Sequence, residues 1–553
     1  MKKLYWIIGL AAIVFGIAYS YYYLPETFFL NDEWLYYGEY LVHGAYQQVT
    51  SVGIIGNLTG SQRVFGSLLM DFFFATYGIS ATPFIVLAVL FHIINAFLVW
   101  KLLFRFGIHP IVSFIAGFFF SIASAGQQAI SWPGASLQVV GCVCFMLISI
   151  HVSLSFINTK KYIFLLFAFL SSYVSFLWKP NGIVTPVLIL IFLLLNRKKI
   201  QGIRYGKIMA GIGSIIVCAV LGIVLYRLKT DGFSFLQIMR IAWNAVLYPF
   251  VALSQVFIPY RLMFRLSSWF TSYMYPQVFH DGNIETIEHY IISDYLSVVA
   301  SFILIIGMMQ LYRGLNAGRR RLFVFGILVF VLQFTPIAYH MDNRGISYTG
   351  SRYVYPAIAG ISILLGVAIE YGIHLLGRQK RAVRYLLFVV CTAICMLWLG
   401  KEMMVTRREV RESTMQGAEI RKTWDSFRAY PFPQIPKVVL FIKGNRTYYY
   451  PDNYLPFQQG SGYMLFLAFQ DKPFIDRSFF RDLRLAAMAS NGYIEANGRK
   501  FGYYTDVEVL VQAVKKKEIA MEEIYAYHFS DSSYSLDDIT EEVRSIIRER
   551  INQ

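Results

Sequence analysis

Charge is scarce in this chain. Only 15% of its 553 residues are Asp, Glu, Lys or Arg, against about 25% in an ordinary soluble domain. With 56% hydrophobic residues and a mean hydropathy of +0.50, that deficit excludes a disordered chain, a coiled coil and an ordinary cytosolic enzyme. Cysteine is sparse too. Cys142, Cys144, Cys218, Cys391 and Cys395 all fall in apolar stretches, and the polar C-terminal region has none. They offer no disulfide framework and no metal spacing with His, and read as packing thiols. Phosphate loops, dinucleotide fingerprints, nucleophile elbows and zinc-helix motifs are missing, so nothing points to soluble ATP or nucleotide-sugars. Helical repeats and low-complexity tracts are missing as well.

What the chain has is long apolar runs. Runs of about 20 residues, enough to cross a bilayer, recur approximately at 4–23, 82–104, 110–126, 135–157, 162–178, 182–196, 208–227, 292–312, 322–339, 354–377 and 385–402. That is an α-helical polytopic membrane protein with about 11 spans. The first run follows Lys2 and Lys3 as a signal peptide would, but Ser20-Tyr21-Tyr22-Tyr23 is a poor cleavage site, so it is kept as a membrane helix.

The net charge of +17 suggests nucleic acid until its distribution is read. From residue 403 onward there are 21 basic and 20 acidic residues, leaving 29 and 13 in the apolar part. Nineteen of those 29 fall in Lys2–Lys3, Lys101–Arg105, Lys160–Lys161, Arg197–Lys207, Arg313–Arg321 and Arg378–Arg384, loops without a single acid. Twelve of the 13 acids, all but Glu370, fall on the other side or at that membrane face. Such parity is an orientation signal, not a nucleic-acid face. It puts the N-terminus in the cytoplasm and, after eleven spans, the C-terminal region outside. The expectation is a multi-pass protein of a cell membrane, the bacterial cytoplasmic membrane.

The domain reading follows. Residues 1–402 form a transmembrane domain, with two long external loops, 24–81 and 228–291, too apolar to be solvated linkers and suited to helices lying along the membrane surface. Residues 403–553 form a small extracytoplasmic α/β domain, with a charged helix near 404–428, strands at Val438–Ile442 and Ile524–Tyr527, and an amphipathic helix near 536–550.

Chemistry should sit at the outer face. Asp32 and Glu33 follow the first span at once, beside Trp34. A carboxylate against apolar surface has raised proton affinity and can act as a general base; alternatively Asp32 caps a helix and Glu33 is solvated. Asp71 interrupts an apolar stretch and needs a partner, such as Arg63, or a cavity. Lys179 lies in the broken turn Trp178-Lys179-Pro180-Asn181-Gly182, and Arg344 and Arg352 in a short external loop. Outer basic residues run against the orientation rule. They serve either to hold a phosphate, for which Arg offers a planar fork, or to bind lipid head groups.

These features resemble the GT-C superfamily of integral-membrane glycosyltransferases, which use polyprenyl-phosphate sugars, and most of all its protein O-mannosyltransferase-like branch with bacterial relatives. Asp32-Glu33 occupies the place of that superfamily's acidic pair. Phe65 to Asp71 and Phe91-His92-Ile93-Ile94-Asn95-Ala96 resemble its juxtamembrane helix and second span. Residues 114–134, ending Ser131-Trp132-Pro133-Gly134, resemble the next span and outer turn, Trp178-Lys179-Pro180 its Lys turn, and Arg352-Tyr353-Val354-Tyr355-Pro356 its Arg-Tyr motif. The likeness covers roughly residues 1–400. It departs at Gln128, where the family often has Glu, at Gly134-Ala135 in place of Gly-Arg, and at Pro180 after Lys179.

The resemblance implies transfer of a sugar from a polyprenyl-phosphate donor to a protein, lipid or glycan acceptor, with inversion at the anomeric carbon. Asp32 is the base candidate and Glu33 its alternate. Lys179 and Arg352, then Arg344 and Arg63, are the phosphate candidates, with Asp71, Gln128, Trp132 and Tyr353 as support. No cofactor is required; a divalent ion on Asp32, Glu33 and Asp71 stays open. Competing readings are a lipid-linked saccharide transporter, an envelope polysaccharide polymerase or ligase, and a non-catalytic binding protein.

Overall fold

The computed structural model describes residues 2–30, 32–43, 63–200, 234–258, 260–274, 287–338, 351–433, 435–444, 464, 467, 491–496, 498–530 and 532–553. The span expected at 208–227 and the candidate Arg344 lie outside the described residues. The chain forms two compact units, one of Met1–Pro25, Val49–Leu69 and Thr82–Ser413, the other of Glu26–Gln48, Met70–Ala81 and Thr414–Gln553.

The first unit is a helical bundle. Its helices are α1 (Lys2–Ser20), the start of α3 (Val64–Tyr77), α4 (Thr82–Arg105), α5 (Pro110–Ile122), α6 (Pro133–Thr159), α7 (Tyr162–Trp178), α8 (Val184–Leu195), α9 (Phe235–Phe257), α10 (Tyr260–Met274), α11 (Ile287–Gly314), α12 (Ala317–Leu332), α13 (Tyr355–Gly377) and α14 (Arg381–Ala429) as far as Ser413. The second unit holds α2 (Asp32–His43). Among the described residues, seven helices are long and apolar enough to cross a membrane, and five shorter apolar helices accompany them, including Leu4–Ser20, Pro110–Ile122 and Tyr162–Trp178. The protein is a multi-pass, mostly helical membrane protein. One of the seven, Leu236–Phe257, falls in the stretch expected to be a surface loop. Gln237, Arg240, Asn244, Pro249 and Gln255 break its apolar run and hide its length.

Small residues let these helices approach. A Cβ at Gly360 would lie 2.5 Å from the Phe330 nitrogen and 2.6 Å from the Gly326 carbonyl oxygen, so α12 and α13 touch backbone to backbone there. The buried Glu402 accepts from the Ser124 N–H at 3.0 Å and hydroxyl at 2.7 Å, and pairs with Lys401 at 2.7 Å.

In the second unit, the C-terminal sheet comprises β1 (Lys437–Gly444), β2 (Gly492–Ala496), β3 (Arg499–Tyr504), β4 (Ile524–Ser530) and β5 (Ser535–Asp538), in the order β2-β3-β1-β4-β5. β1 runs parallel to both β3 and β4, while the two edge strands are antiparallel to their neighbours. Successive strand residues point to opposite faces. Val439 and Phe441 pack with Leu510 of α15 (Val507–Lys515) and with Val543 and Ile547 of α16 (Thr540–Asn552), while Val438, Leu440 and Ile442 pack with Phe427 and Phe432 of the chain that leads into the sheet. Burial on both faces explains why β1 is a continuous apolar run.

Candidate functional site

The first unit brings together three of the expected cations. Pro180 cannot follow a helical residue comfortably, so α7 stops at Trp178 and Lys179 is extended at φ −157° and ψ 141°. The next turn folds back on the helix so tightly that a Cβ at Gly182 would fall 2.4 Å from the Phe176 nitrogen and the Ser175 carbonyl carbon. Only glycine fits, and Lys179 is turned inward to 8% exposure. Its Nζ lies 5.1 Å from the centre of the Tyr353 ring. Arg352 flanks the same ring at 4.9 Å and stacks at 4.1 Å on Trp132. Arg63, left-handed at φ 51° at the head of α3, donates from Nη1 to the Gln138 Oε1 at 2.7 Å. Burial first, then the Arg63 and Arg352 charges, push Lys179 down to about 7.

Among the described residues no carboxylate pairs with Lys179 or Arg352. Like charges held together in a poorly solvated turn destabilise one another, and an anion is what would relieve them. Aromatic faces supply part of the compensation through cation–π attraction. Two more polar atoms are left over nearby: Gln128 Oε1 and Trp132 Nε1 are buried without a hydrogen-bond partner among the described residues. The Gln128 N–H donates to the Ser351 hydroxyl at 3.2 Å, tying the Gln128 turn to the segment that carries Arg352.

A buried polar chain fixes that segment. The Ser121 carbonyl only accepts, so His92 bears its proton on Nε2, 2.9 Å away, and its Nδ1 accepts from the Tyr355 hydroxyl at 2.9 Å. Asn95 Nδ2 donates to the same hydroxyl oxygen at 3.1 Å and to the Val140 carbonyl at 3.0 Å. Tyr355 lies three residues beyond Arg352, so α4, α5, α6 and α13 together set where the guanidinium can reach. Sequence reasoning picked out the His92 and Asn95 pair only through resemblance, and missed Gln138 and Tyr355 as positioning residues.

The acidic candidates belong to the second unit. Asp32 is half-buried at the first position of α2. Glu33 is fully buried, at 0% exposure, and its Oε2 accepts from the Leu30 N–H at 3.1 Å, so it is not the solvated side chain of the helix-cap reading. Asp71 is buried too, at 7%. Aromatic rings surround this helix start: Trp34 lies 5.6 Å from Phe29 and 5.0 Å from Trp424, and Phe29 lies 6.0 Å from Phe74. Among the described residues no three His, Cys, Asp or Glu side chains form a metal-binding group.

No family model matches the sequence, and no curated protein matches it. Among solved structures, the chain is similar to the crystal structure of ArnT from Cupriavidus metallidurans bound to undecaprenyl phosphate. The two are 11% identical, the likeness covers 95% of this chain and 93% of that one, and the TM-score is 0.40. A superposition at that level assigns nothing further, and the chain's own residues must carry the reading.

Proposed function

We propose that the protein is a membrane glycosyltransferase of the GT-C type, moving a sugar from a polyprenyl-phosphate donor to an acceptor hydroxyl, and that it belongs with the protein O-mannosyltransferase-like branch its motifs resemble. One observation carries the reading: Lys179 is buried beside Arg352 with aromatic walls and no carboxylate partner among the described residues. A cation in that state is compensated best by a phosphate. Lys179 and Arg352 take the donor phosphate, Gln138 holds Arg63 toward it, and Trp132 Nε1 and Gln128 Oε1 complete the polar contacts. Arg344 remains a weaker candidate for the same role.

In the transfer step the acceptor oxygen attacks the anomeric carbon and the bond from that carbon to the phosphate oxygen breaks. The polyprenyl phosphate departs with the electron pair, its charge met by Lys179 and Arg352. Asp32 takes the acceptor proton, with Glu33 as the alternate base. The phosphate is already a good leaving group, so no acid is needed to protonate it. Purified protein, offered a panel of polyprenyl-phosphate sugars, should cleave one of them, and Asp32→Asn should slow turnover by roughly 10²–10⁴-fold without changing donor affinity. Full activity in Asp32→Asn removes the base assignment, since Asn caps a helix as well as Asp does. Phosphate binding with no donor cleaved across the panel favours a binding protein instead.

A further inference from the structure

A second cation cluster lies at the other end of the same bundle, away from the Lys179 turn. There a cavity of about 220 Å³ opens between the end of α8 and the start of α12, far larger than one water needs. Lys199, Asn316, Arg319 and Arg321 line it together with the buried Phe192, Leu322 and Phe325. The lining is therefore amphipathic, part cationic and part apolar.

The cations here differ from one another in how they are satisfied: of the three that line the cavity, Arg319 is neutralised within the protein, whereas Lys199 and Arg321 are not. Arg319 pairs with Glu370 at 2.6 Å and donates to the Phe106 and Gly107 carbonyls. Arg320 donates to the Tyr312 and Arg313 carbonyls. Among the described residues the Arg321 guanidinium reaches only the Ala317 and Leu195 carbonyls, at 3.3 and 3.4 Å, and the Lys199 ammonium has no partner. Three arginines in the opening turns of α12 also oppose the helix dipole, which favours negative charge there. An orientation signal needs only charge near a span end. It does not need cations gathered around a partly apolar cavity, and the adjacent Lys198 is outside that lining.

We infer that this cavity binds a phosphate headgroup, with Lys199, Arg321 and Asn316 on the phosphate and the apolar lining taking the apolar part of an anionic phospholipid. Basic pockets between membrane helices are suited to such head groups. The site is separate from the donor clamp and does not depend on the transfer chemistry.

The test uses the full-length protein carrying Lys179→Met and Arg352→Met, so that the clamp cannot contribute. Thermal midpoints are followed while short-chain phosphatidylglycerol, short-chain phosphatidylcholine or inorganic phosphate is titrated in. Phosphatidylglycerol should stabilise with an apparent affinity at least about tenfold above phosphatidylcholine. Lys199→Gln with Arg321→Gln should lose about tenfold, whereas Lys198→Gln and the charge-keeping Arg321→Lys should retain binding. Full competition by inorganic phosphate would identify a free-anion site, and a requirement for the acyl chains a lipid site; either supports the phosphate assignment. Equal response to the two lipids, or pocket variants that behave like Lys198→Gln, would overturn it.

Discussion

Two sets of cations in the first unit are treated in opposite ways. At one end Arg105 donates to the His151 and Ser155 side chains and to the His151 carbonyl at 2.9–3.1 Å, and Arg319 is closed by Glu370 and two carbonyls. At the other, Lys179 and Arg352 face rings and each other. A cation whose donors are all satisfied inside the protein is part of the scaffold. One that is buried without a counter-charge costs stability in the folded state, and such strain is typical of a site kept ready for a ligand.

That contrast can be broken by substitution. The largest effect belongs to Lys179→Met with Arg352→Met, which should lose about 10²–10⁴ in affinity for a polyprenyl phosphate, since each charged hydrogen bond contributes about 1.5–3 kcal/mol. Its melting temperature should hold or rise, because two mutually repelling charges are gone. Arg352→Lys should rescue only part of the affinity, as the planar fork is lost. At the opposite end Arg319→Met should do the reverse, lowering stability by about 1–3 kcal/mol and leaving polyprenyl-phosphate affinity at the Lys179 end unchanged. Parallel losses of stability at both ends would erase the distinction.

Titration gives a smaller and independent effect. Lys179 sits near 7 in the folded protein against its usual 10.5. Between those values the unfolded chain holds a proton that the folded chain lacks, so stability should rise with pH across that window. Phosphate affinity should fall as pH climbs above about 7, because the ammonium that meets the phosphate is being lost. The Lys179 share of both slopes should be lost in Lys179→Met, leaving shallower melting and binding profiles over pH 6 to about 10. Smallest of all, Gln138→Leu should weaken phosphate binding a few-fold by freeing Arg63, and a change in thermal stability with binding intact would make Gln138 merely structural.

The membrane helices and the cations were legible in the sequence for different reasons. Apolar run length gave most spans, and failed at α9 because five polar or Pro positions divide its run. Lys179 and Arg352 stood out because they contradict the charge asymmetry of the loops. Gln138 did not, since a lone Gln in a span has no local signature and its partner Arg63 is 75 residues away. Glu402 looked like the end of a span, yet it fastens Ser124 across 278 residues. In the C-terminal domain β1 and β4 announced themselves by apolar content. β3 was hidden, because its Arg499-Lys500 start reads as loop until Glu523 at 2.9 Å and Glu495 at 3.3 Å are seen to hold Lys500.

The central claim is that the Lys179 end of the bundle recognises a lipid-borne phosphate, and comparing two ligands that differ only in that group tests it most directly. In a protein carrying Lys199→Gln and Arg321→Gln, so that the second cavity cannot contribute, equilibrium binding of a polyprenyl phosphate and of the matching uncharged polyprenol should differ by about 100-fold or more in favour of the phosphate, with the difference collapsing when Lys179→Met and Arg352→Met are added. Equal affinities for the two lipids, or a preference that survives the two added substitutions, would contradict it.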